Sequence, residues 1–333
     1  MKKTNPNTHI TVLTPSNTMA TMPDEMISIG VRALDEMGFS VDFGENVKKE
    51  FLYMAGSVED RVTDFNNAIH SSSSNIIMAV FGGYNSNQLL EKIDYEAIKN
   101  KKKIVVGYSD ITAILNAIYA KTGVASIHGP GFASFCDPNC FPQMKTSFKN
   151  LISGNSPIIY TEPNQAACDL WFLKQNFGPR ELYQHPKWTA IKEGSACGKL
   201  IGGNLETFLA LASTEYMPST KEAVLLIEAS FNESPGQFDR NVTQLRHMGV
   251  FKNISGLIVG QFSAENKLST VETMQQILCR ATDGYNFPIL INTSFSHVDP
   301  ILPLPIGGAI QINAFANENS ITIMEAFSRS LLT

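Results

Sequence analysis

The feature that most restricts the fold is a regular alternation of short β-branched segments with amphipathic ones through the first half of the chain. Strand-like segments occupy 10–14, 39–43, 75–80 and 103–106, and helical segments occupy 23–38, 58–71, a stretch from 87, and 111–121. In the first helical segment, Ile27, Val31 and Leu34 recur at the spacing that places one apolar face against a sheet. Strands separated by such helices form βαβ units, so we expect a parallel sheet that binds ligands at the carboxyl ends of its strands.

The second half predicts another α/β unit, because 333 residues exceed the usual size of a single domain. Its strand-like segments are 223–228, 256–259, 288–291, 309–314 and 321–325, and its helical segments are 206–212, 238–248 and 271–281. Between 132 and 192 turn residues replace the periodicity, so we place a domain boundary near residue 165, giving domains 1–165 and 166–333. The expected fold is α/β, with an N-terminal Rossmann-like parallel-sheet domain and a C-terminal α/β domain with a β-rich core.

Charge and composition exclude several classes of partner. The net charge is -5 and the lysines and arginines are scattered, which argues against a nucleic-acid partner. The N-terminus lacks the apolar run of a secretory signal and no segment is apolar enough to cross a membrane, so we expect a cytoplasmic protein.

Five cysteines are an odd number, which does not suit a disulfide scaffold and fits a reducing compartment. Cys136 and Cys140 form a CxxxC segment, but no second pair of cysteines or histidines lies at the spacing of zinc ligands. We therefore expect neither a metal nor a cofactor.

Ser109 is the best candidate for a nucleophile. It lies in VVGYSDIT, directly after a strand and directly before a helix, as in a nucleophile elbow. The segment departs from the GxSxG pattern, because Ile111 stands where the second glycine would be. The structural alternative is that Ser109 or Asp110 simply caps the following helix.

A serine nucleophile needs a base, and sequence order alone does not choose among six histidines. His297 follows a strand in the polar turn INTSFSHVDP, and His128 in SIHGPG is the second choice. Glu228 ends the apolar strand AVLLIE, where a carboxylate is costly unless it is paired or faces a cleft. Glu228 therefore either orients the histidine or ends its strand in water.

Paired glycines mark the loop FGGYNSN at 81–87, which joins a buried strand to a helix. Gly82 and Gly83 let backbone N–H groups approach an anion, so the loop could form an oxyanion hole, a phosphate cradle or a tight structural turn. It is neither a dinucleotide-binding GxGxxG segment nor a phosphate-binding loop with its lysine.

Several separate segments together resemble the LD-carboxypeptidase family of serine peptidases, which includes the microcin-C self-immunity peptidases. The resemblance extends over the whole chain. The matching segments are TPS at 14–16, MAGSVEDRVTDFNNAI at 54–69, FGGYNSNQLLEKIDY at 81–95, GYSDIT at 107–112, HGP at 128–130, GGNLETF at 202–208, and the surroundings of Glu228 and His297.

The resemblance implies a Ser-His-Glu triad in which Ser109 is the nucleophile, His297 the general base and Glu228 the group that orients the imidazole. It also implies an oxyanion hole made by the backbone N–H groups of Asp110 and Gly83. The residues expected to contact substrate are Gly82, Asn85, Asn204 and Trp188. A homodimer is the oligomer that the family suggests.

The loop at 81–87 helps to separate two branches of this family. Phe81 stands where murein-recycling members tend to have arginine, and Asn85-Ser86-Asn87 resembles the immunity branch. That branch implies hydrolysis of the amide that joins an aminoacyl or peptidyl group to a nucleotide. Trp188 is then the candidate to stack on the base, with Trp171 as a weaker candidate.

Two other functions remain open from the sequence. The first is a muropeptide LD-carboxypeptidase that removes a terminal D-alanine from a tetrapeptide. The second is a non-catalytic binding protein in which two α/β domains close on a small ligand. A serine-directed probe separates either enzyme from the binding protein, because it should label Ser109 only in an enzyme.

Overall fold

A computed structural model describes residues 8–154, 156–325 and 327. The elements of the first half are β1 (His9–Leu13), α1 (Asp24–Glu36), β2 (Ser40–Phe43), α2 (Val58–His70), β3 (Ile76–Ala79), α3 (Tyr95–Lys101), β4 (Ile104–Gly107), α4 (Thr112–Thr122), β5 (Ser126–His128), α5 (Phe132–Phe135) and α6 (Pro142–Ile152). The elements that follow are β6 (Ile158–Tyr160), β7 (Gln165–Ala166), β8 (Tyr183–Gln184), β9 (Thr189–Lys192), β10 (Gly194–Asn204), α7 (Leu205–Leu209), β11 (Val224–Glu228), α8 (Pro235–His247), β12 (Gly256–Gly260), α9 (Val271–Ala281), β13 (Ile289–Thr293), β14 (Leu304–Ile306), β15 (Ala309–Ala314) and β16 (Asn319–Ile323).

The first sheet has six strands in the order β14-β5-β4-β3-β1-β2. Its five strands from the first half are parallel, while β14 runs antiparallel to β5. Every residue of β3 and β4 is buried, as is usual for inner strands of a sheet covered on both faces. The expected parallel sheet is therefore confirmed, and its carboxyl-terminal edge carries the loops that follow β1, β3 and β4.

The second sheet has eight strands in the order β6-β16-β15-β10-β11-β12-β13-β9. Strands β10 to β13 are parallel, and the remaining pairs are antiparallel. The long strand β10 pairs with β15 along its first part and with β11 along its last five residues. This mixed sheet confirms a second α/β unit with a β-rich core.

The chain passes between the sheets more than once. Strand β6 belongs to the second sheet although it precedes residue 165, and β14 returns from the second half to the edge of the first sheet. The boundary near residue 165 stays a prediction, and the two proposed domains include residues 1–7, 155, 326 and 328–333, which lie outside the described ranges.

The region 132–192 is more regular than its turn residues predict. Helix α6 buries Met144, Phe148 and Leu151 on one face, a periodicity that the surrounding proline and glycine residues obscure in the sequence. The helix expected from Asn87 is instead divided between a 3-10 helix (Ser86–Lys92) and α3. Asp94 starts the second piece, because its side chain accepts a hydrogen bond from Ala97 N at 2.9 Å.

Within the described part of the chain, no helix combines the length and the apolar character that crossing a bilayer requires.

Candidate active site

Ser109 occupies a tight turn between β4 and α4. Its φ is +61°, in the left-handed region that residues with side chains rarely adopt. Gly107 allows the turn to be tight, because a Cβ there would lie only 2.8 Å from Ile111 Cγ2. A strained serine between a strand and a helix is the backbone arrangement of a nucleophile elbow.

The structure brings Ser109, His297 and Glu228 into one hydrogen-bonded chain. Ser109 Oγ lies 3.0 Å from His297 Nε2, and His297 Nδ1 lies 2.6 Å from Glu228 Oε2. Glu228 is the last residue of β11 and is fully buried, whereas the side chain of His297 is 16% exposed. A hydroxyl, an imidazole and a carboxylate thus lie in the order found in the triads of serine hydrolases.

Burial and charge act in opposite directions on His297. Burial lowers the pKa of the imidazole, but the charge of Glu228 and its hydrogen bond raise it more, and the net pKa lies above the ordinary value of 6.5. Glu228 therefore favours the protonated form of the His297 imidazole.

The loop from β13 to β14 carries His297, and other side chains fix it on both sides of that residue. Ser294 Oγ lies 2.8 Å from His185 Nε2, and Asp299 accepts a hydrogen bond from Arg180 Nη2 at 2.9 Å. His128 Nε2 lies 3.2 Å from the carbonyl oxygen of Phe295. His128, the second choice for a base, is directed at this loop and not at Ser109, and burial lowers its pKa.

The glycine pair packs directly against the serine. A Cβ on Gly82 would lie 2.8 Å from Ser109 Oγ and 3.0 Å from Asp110 N, so only glycine leaves this space free. Gly83 has a φ of +156°, and a side chain there would collide with Ser16. The backbone of this loop and the backbone N of Asp110 thus lie together next to Ser109, as an oxyanion hole would require.

The carboxylate of Asp110, with Ser16 and Arg61, was missed by reasoning from the sequence. Asp110 Oδ2 accepts hydrogen bonds from Ser16 Oγ at 2.6 Å and from two backbone N–H groups of the loop 81–87, which we call the glycine loop. Arg61 donates to the carbonyl oxygens of Pro15 and Asn85. The available signal was the resemblance of segments 14–16 and 54–69 to the family, which gives no role to individual side chains.

The two asparagines expected to contact substrate are both involved in local structure. Asn85 is 3% exposed; its Oδ1 accepts a hydrogen bond from Arg61 Nη1 at 3.3 Å and lies 3.1 Å from Ser16 Oγ, whose proton is donated to Asp110 Oδ2. Asn204 pairs with Glu228 across β10 and β11, and its Oδ1 caps α7 by accepting from Thr207 N at 3.2 Å. Asn204 therefore lies at the site, whereas the side chain of Asn85 is buried between Ser16 and Arg61; substrate contact by either stays a prediction.

Both tryptophans are largely buried. Trp188 is 2% exposed, and its ring packs 5.8 Å from that of Phe295. The indole packs in the core beside the His297 loop, and stacking of Trp188 on a base stays a prediction. Trp171 is 9% exposed and packs edge-on against Phe172 and Phe177.

The chain matches two consecutive family models. Residues 10–129 match the LD-carboxypeptidase N-terminal domain, and residues 197–312 match the LD-carboxypeptidase C-terminal domain.

Relatives cover nearly the same length. YocD of Bacillus subtilis, a carboxypeptidase candidate, is 33% identical over 94% of this chain and 96% of its own. The microcin C7 self-immunity protein MccF of Escherichia coli is 31% identical over 90% of this chain and 88% of its own. The probable murein peptide carboxypeptidase of Bacillus subtilis is 27% identical over 88% of this chain and 86% of its own.

Solved structures share the whole fold. An MccF-like protein from Bacillus anthracis superposes with a TM-score of 0.91 at 32% identity, covering 97% of this chain and 98% of its own. MccF in complex with aspartyl sulfamoyl adenosine gives a TM-score of 0.87 at 29% identity, covering 96% of each chain.

Proposed function

Because this chain belongs to the LD-carboxypeptidase family of serine peptidases, we propose that it hydrolyses an amide bond through Ser109, His297 and Glu228. The observation that carries the proposal is the unbroken hydrogen-bonded chain from Ser109 Oγ through the imidazole to Glu228 Oε2. The three side chains lie in the turn after β4, at the end of β11 and in the loop after β13, and their arrangement places a base within reach of the hydroxyl proton.

In the first half of the reaction, Ser109 Oγ attacks the amide carbonyl carbon while His297 Nε2 takes the hydroxyl proton. Glu228 holds the other ring nitrogen and offsets the positive charge of the imidazolium. The backbone N–H groups of Gly83 and Asp110 donate to the oxyanion of the tetrahedral intermediate, since both segments lie against Ser109.

In the second half, His297 returns the proton to the leaving amine, and the C–N bond breaks to leave an acyl ester on Ser109. Water then attacks this ester while His297 takes a proton from it. The bond between the acyl carbon and Ser109 Oγ breaks, His297 returns the proton to Ser109 Oγ, and the free carboxylate product leaves.

The substrate that we propose is an aminoacyl or peptidyl group joined to a nucleotide through an amide-type bond. Support comes from the likeness to MccF, which has been solved with aspartyl sulfamoyl adenosine and with glutamyl sulfamoyl guanosine. Phe81 and the Asn85-Ser86-Asn87 sequence of the glycine loop favour the same branch.

A second candidate is removal of a terminal D-alanine from a murein tetrapeptide. It is favoured by the likeness to the probable murein peptide carboxypeptidase, and Tyr84 of the glycine loop is shared with that branch.

The test is product analysis by mass spectrometry after separate incubation with an aminoacyl sulfamoyl adenosine and with a murein tetrapeptide. Release of the free amino acid and the sulfamoyl nucleoside supports the nucleotide substrate, and loss of D-alanine supports the second candidate. Ser109→Ala should lower turnover by about a millionfold, because a triad without its nucleophile retains only binding and oxyanion stabilisation.

The exposed Ser28 supplies a matched control, and Ser28→Ala should be as active as the unchanged protein. Full activity in Ser109→Ala would refute the mechanism. Absence of both products would leave a non-catalytic binding protein as the reading to pursue.

A further inference from the structure

We infer that the carboxylate of Asp110 is a positioning residue that holds the glycine loop, 81–87, in register with Ser109. The inference rests on the proposed function, and it assigns a role to a side chain whose backbone N–H alone was expected to act. Its basis is a set of hydrogen bonds that converge on one carboxylate oxygen next to the nucleophile.

Asp110 Oδ2 accepts three hydrogen bonds. Ser16 Oγ donates at 2.6 Å, Asn85 N at 2.9 Å and Ser86 N at 2.8 Å. The backbone carbonyl of Asp110 accepts a fourth from Ser86 Oγ at 2.6 Å, and the residue is only 5% exposed. Hydrogen bonds to a carboxylate are shorter and stronger than those between neutral groups, so Asp110 firmly fixes two successive peptide groups, Tyr84–Asn85 and Asn85–Ser86.

The usual role of an aspartate at this position is to cap its own helix, and Asp110 does not do so. The turn at Ser109 and the start of α4 both lack a side-chain cap hydrogen bond. The carboxylate instead caps the 3-10 helix that follows the glycine loop, because it accepts from the backbone N–H groups at its start. The Asp110 carboxylate thus stabilises the loop 81–87 and not the helix that follows Ser109.

Ser16 extends this attachment to the glycines themselves. Its hydroxyl donates to Asp110 Oδ2 and accepts from Tyr84 N at 3.1 Å, and the residue is fully buried. Gly83 must lack a side chain because Ser16 occupies that space. The peptide from Gly83 to Tyr84 is therefore fixed between the loop after β1 and the carboxylate next to the nucleophile.

Arg61 completes the network from the opposite side. It is 2% exposed and donates to Asn85 Oδ1 at 3.3 Å and to the carbonyl oxygens of Asn85 and Pro15. Burial lowers the pKa of Arg61, and the charge of Asp110 raises it. A buried cation and a buried anion thus flank Asn85, and each offsets part of the cost of burying the other.

This arrangement matters for catalysis because oxyanion donors work only when they are fixed in place before the reaction. Loss of one such donor costs about 10²–10³ in kcat. In Asp110→Ala, the loop loses its anchor while the substrate-binding surface remains, so we expect kcat to fall by about 100-fold with KM little changed. Asp110→Asn keeps an acceptor oxygen in the same place and should restore most of the loss.

The test measures the rate at which a fluorophosphonate probe labels Ser109, since that reaction also builds negative charge on an oxygen facing the loop. We expect about 100-fold slower labelling in Asp110→Ala, near-normal labelling in Asp110→Asn and an intermediate rate in Ser16→Ala. Turnover of an aminoacyl sulfamoyl adenosine then gives kcat and KM separately for each variant.

Asp64 provides the matched control, because it is a buried carboxylate of the same half that accepts two hydrogen bonds from Asn46 and does not contact the site. Asp64→Ala should lower the melting temperature and leave labelling unchanged. Equal labelling of Asp110→Ala and the unchanged protein, or equal slowing in Asp64→Ala, would overturn the inference while leaving the triad intact. If the unchanged protein itself is not labelled, the proposed function fails and the inference fails with it.

Discussion

His297 can act as a base only when its imidazole is neutral, and Glu228 makes that form harder to reach. Burial lowers the pKa of His297, but the charge of Glu228 and the hydrogen bonds of the imidazole to Glu228 and to the Ala229 backbone together raise it above 6.5. We expect kcat/KM to fall as the pH drops through the raised pKa of His297. The midpoint of the acid limb of the pH profile should therefore lie above pH 6.5.

The variant Glu228→Gln removes the negative charge that raises the pKa of His297, so burial should lower that pKa. The acid limb should therefore move to lower pH. Its kcat should fall by about 10⁴, as in other triads whose carboxylate is replaced by an amide. Measuring kcat/KM against pH for both proteins tests this.

Glu233 is the necessary control for that profile. Burial, reinforced by the charge of Glu206, raises the pKa of Glu233 to about 7, within the same range of pH. Glu233→Gln should leave the acid limb in place. If the limb disappears in Glu233→Gln and does not move in Glu228→Gln, then His297 is not the group that titrates.

At the scale of elements, the glycine loop and the turn at Ser109 fit together without spare room. Gly82→Ala would place a methyl group 2.7 Å from Ser109 Cβ, so the nucleophile must shift. We expect kcat to fall by about 100-fold, since small displacements of a reacting group are costly, with little change in the melting temperature.

Gly236 in α8 is the matched control, because a Cβ there would meet nothing within 4 Å. Gly236→Ala should keep full activity and gain about 0.5–1 kcal/mol of stability, since alanine loses less backbone entropy in a helix. Steady-state kinetics and thermal unfolding of both variants give the comparison, and equal activity would contradict close packing at Gly82.

The elements also show how far the sequence alone could lead. Ser109 and Glu228 were accessible because strand ends are local features, visible as the end of an apolar run. The choice of His297 over His128 was not, because it depends on a contact 188 residues apart in the chain. The role of the Asp110 carboxylate was hidden for the same reason. Local sequence rules predict that it caps its own helix, but it accepts a hydrogen bond from Ser16, which is 94 residues away in the chain.

At the scale of the whole molecule, Arg180 joins three distant segments. Its guanidinium donates to Asp137, Asp169 and Asp299 at 2.7, 2.9 and 2.9 Å, and its side chain is only 3% exposed. Arg180→Met would leave three carboxylates facing one another, so we expect a loss of about 3–5 kcal/mol in the free energy of unfolding.

Denaturant unfolding measures this loss, with Arg280→Met as the control. Arg280 pairs with Asp239 at the surface, where its side chain is 65% exposed, and such pairs contribute about 0–1 kcal/mol. An equal, small effect of both substitutions would show that the buried cluster does not hold the segments together.

The passage of the chain from β13 in the second sheet to β14 in the first has a consequence during protein synthesis. The first sheet can gather its five parallel strands once residue 128 has left the ribosome, and Ser109 then stands in its turn without a base. His297 and the strand that closes the sheet emerge only about 170 residues later, at the synthesis rate of about 5–20 residues per second. If Ser109 and His297 act as we propose, a nascent or truncated chain carries an inactive nucleophile, and hydrolysis begins only when both sheets are joined by the same segment.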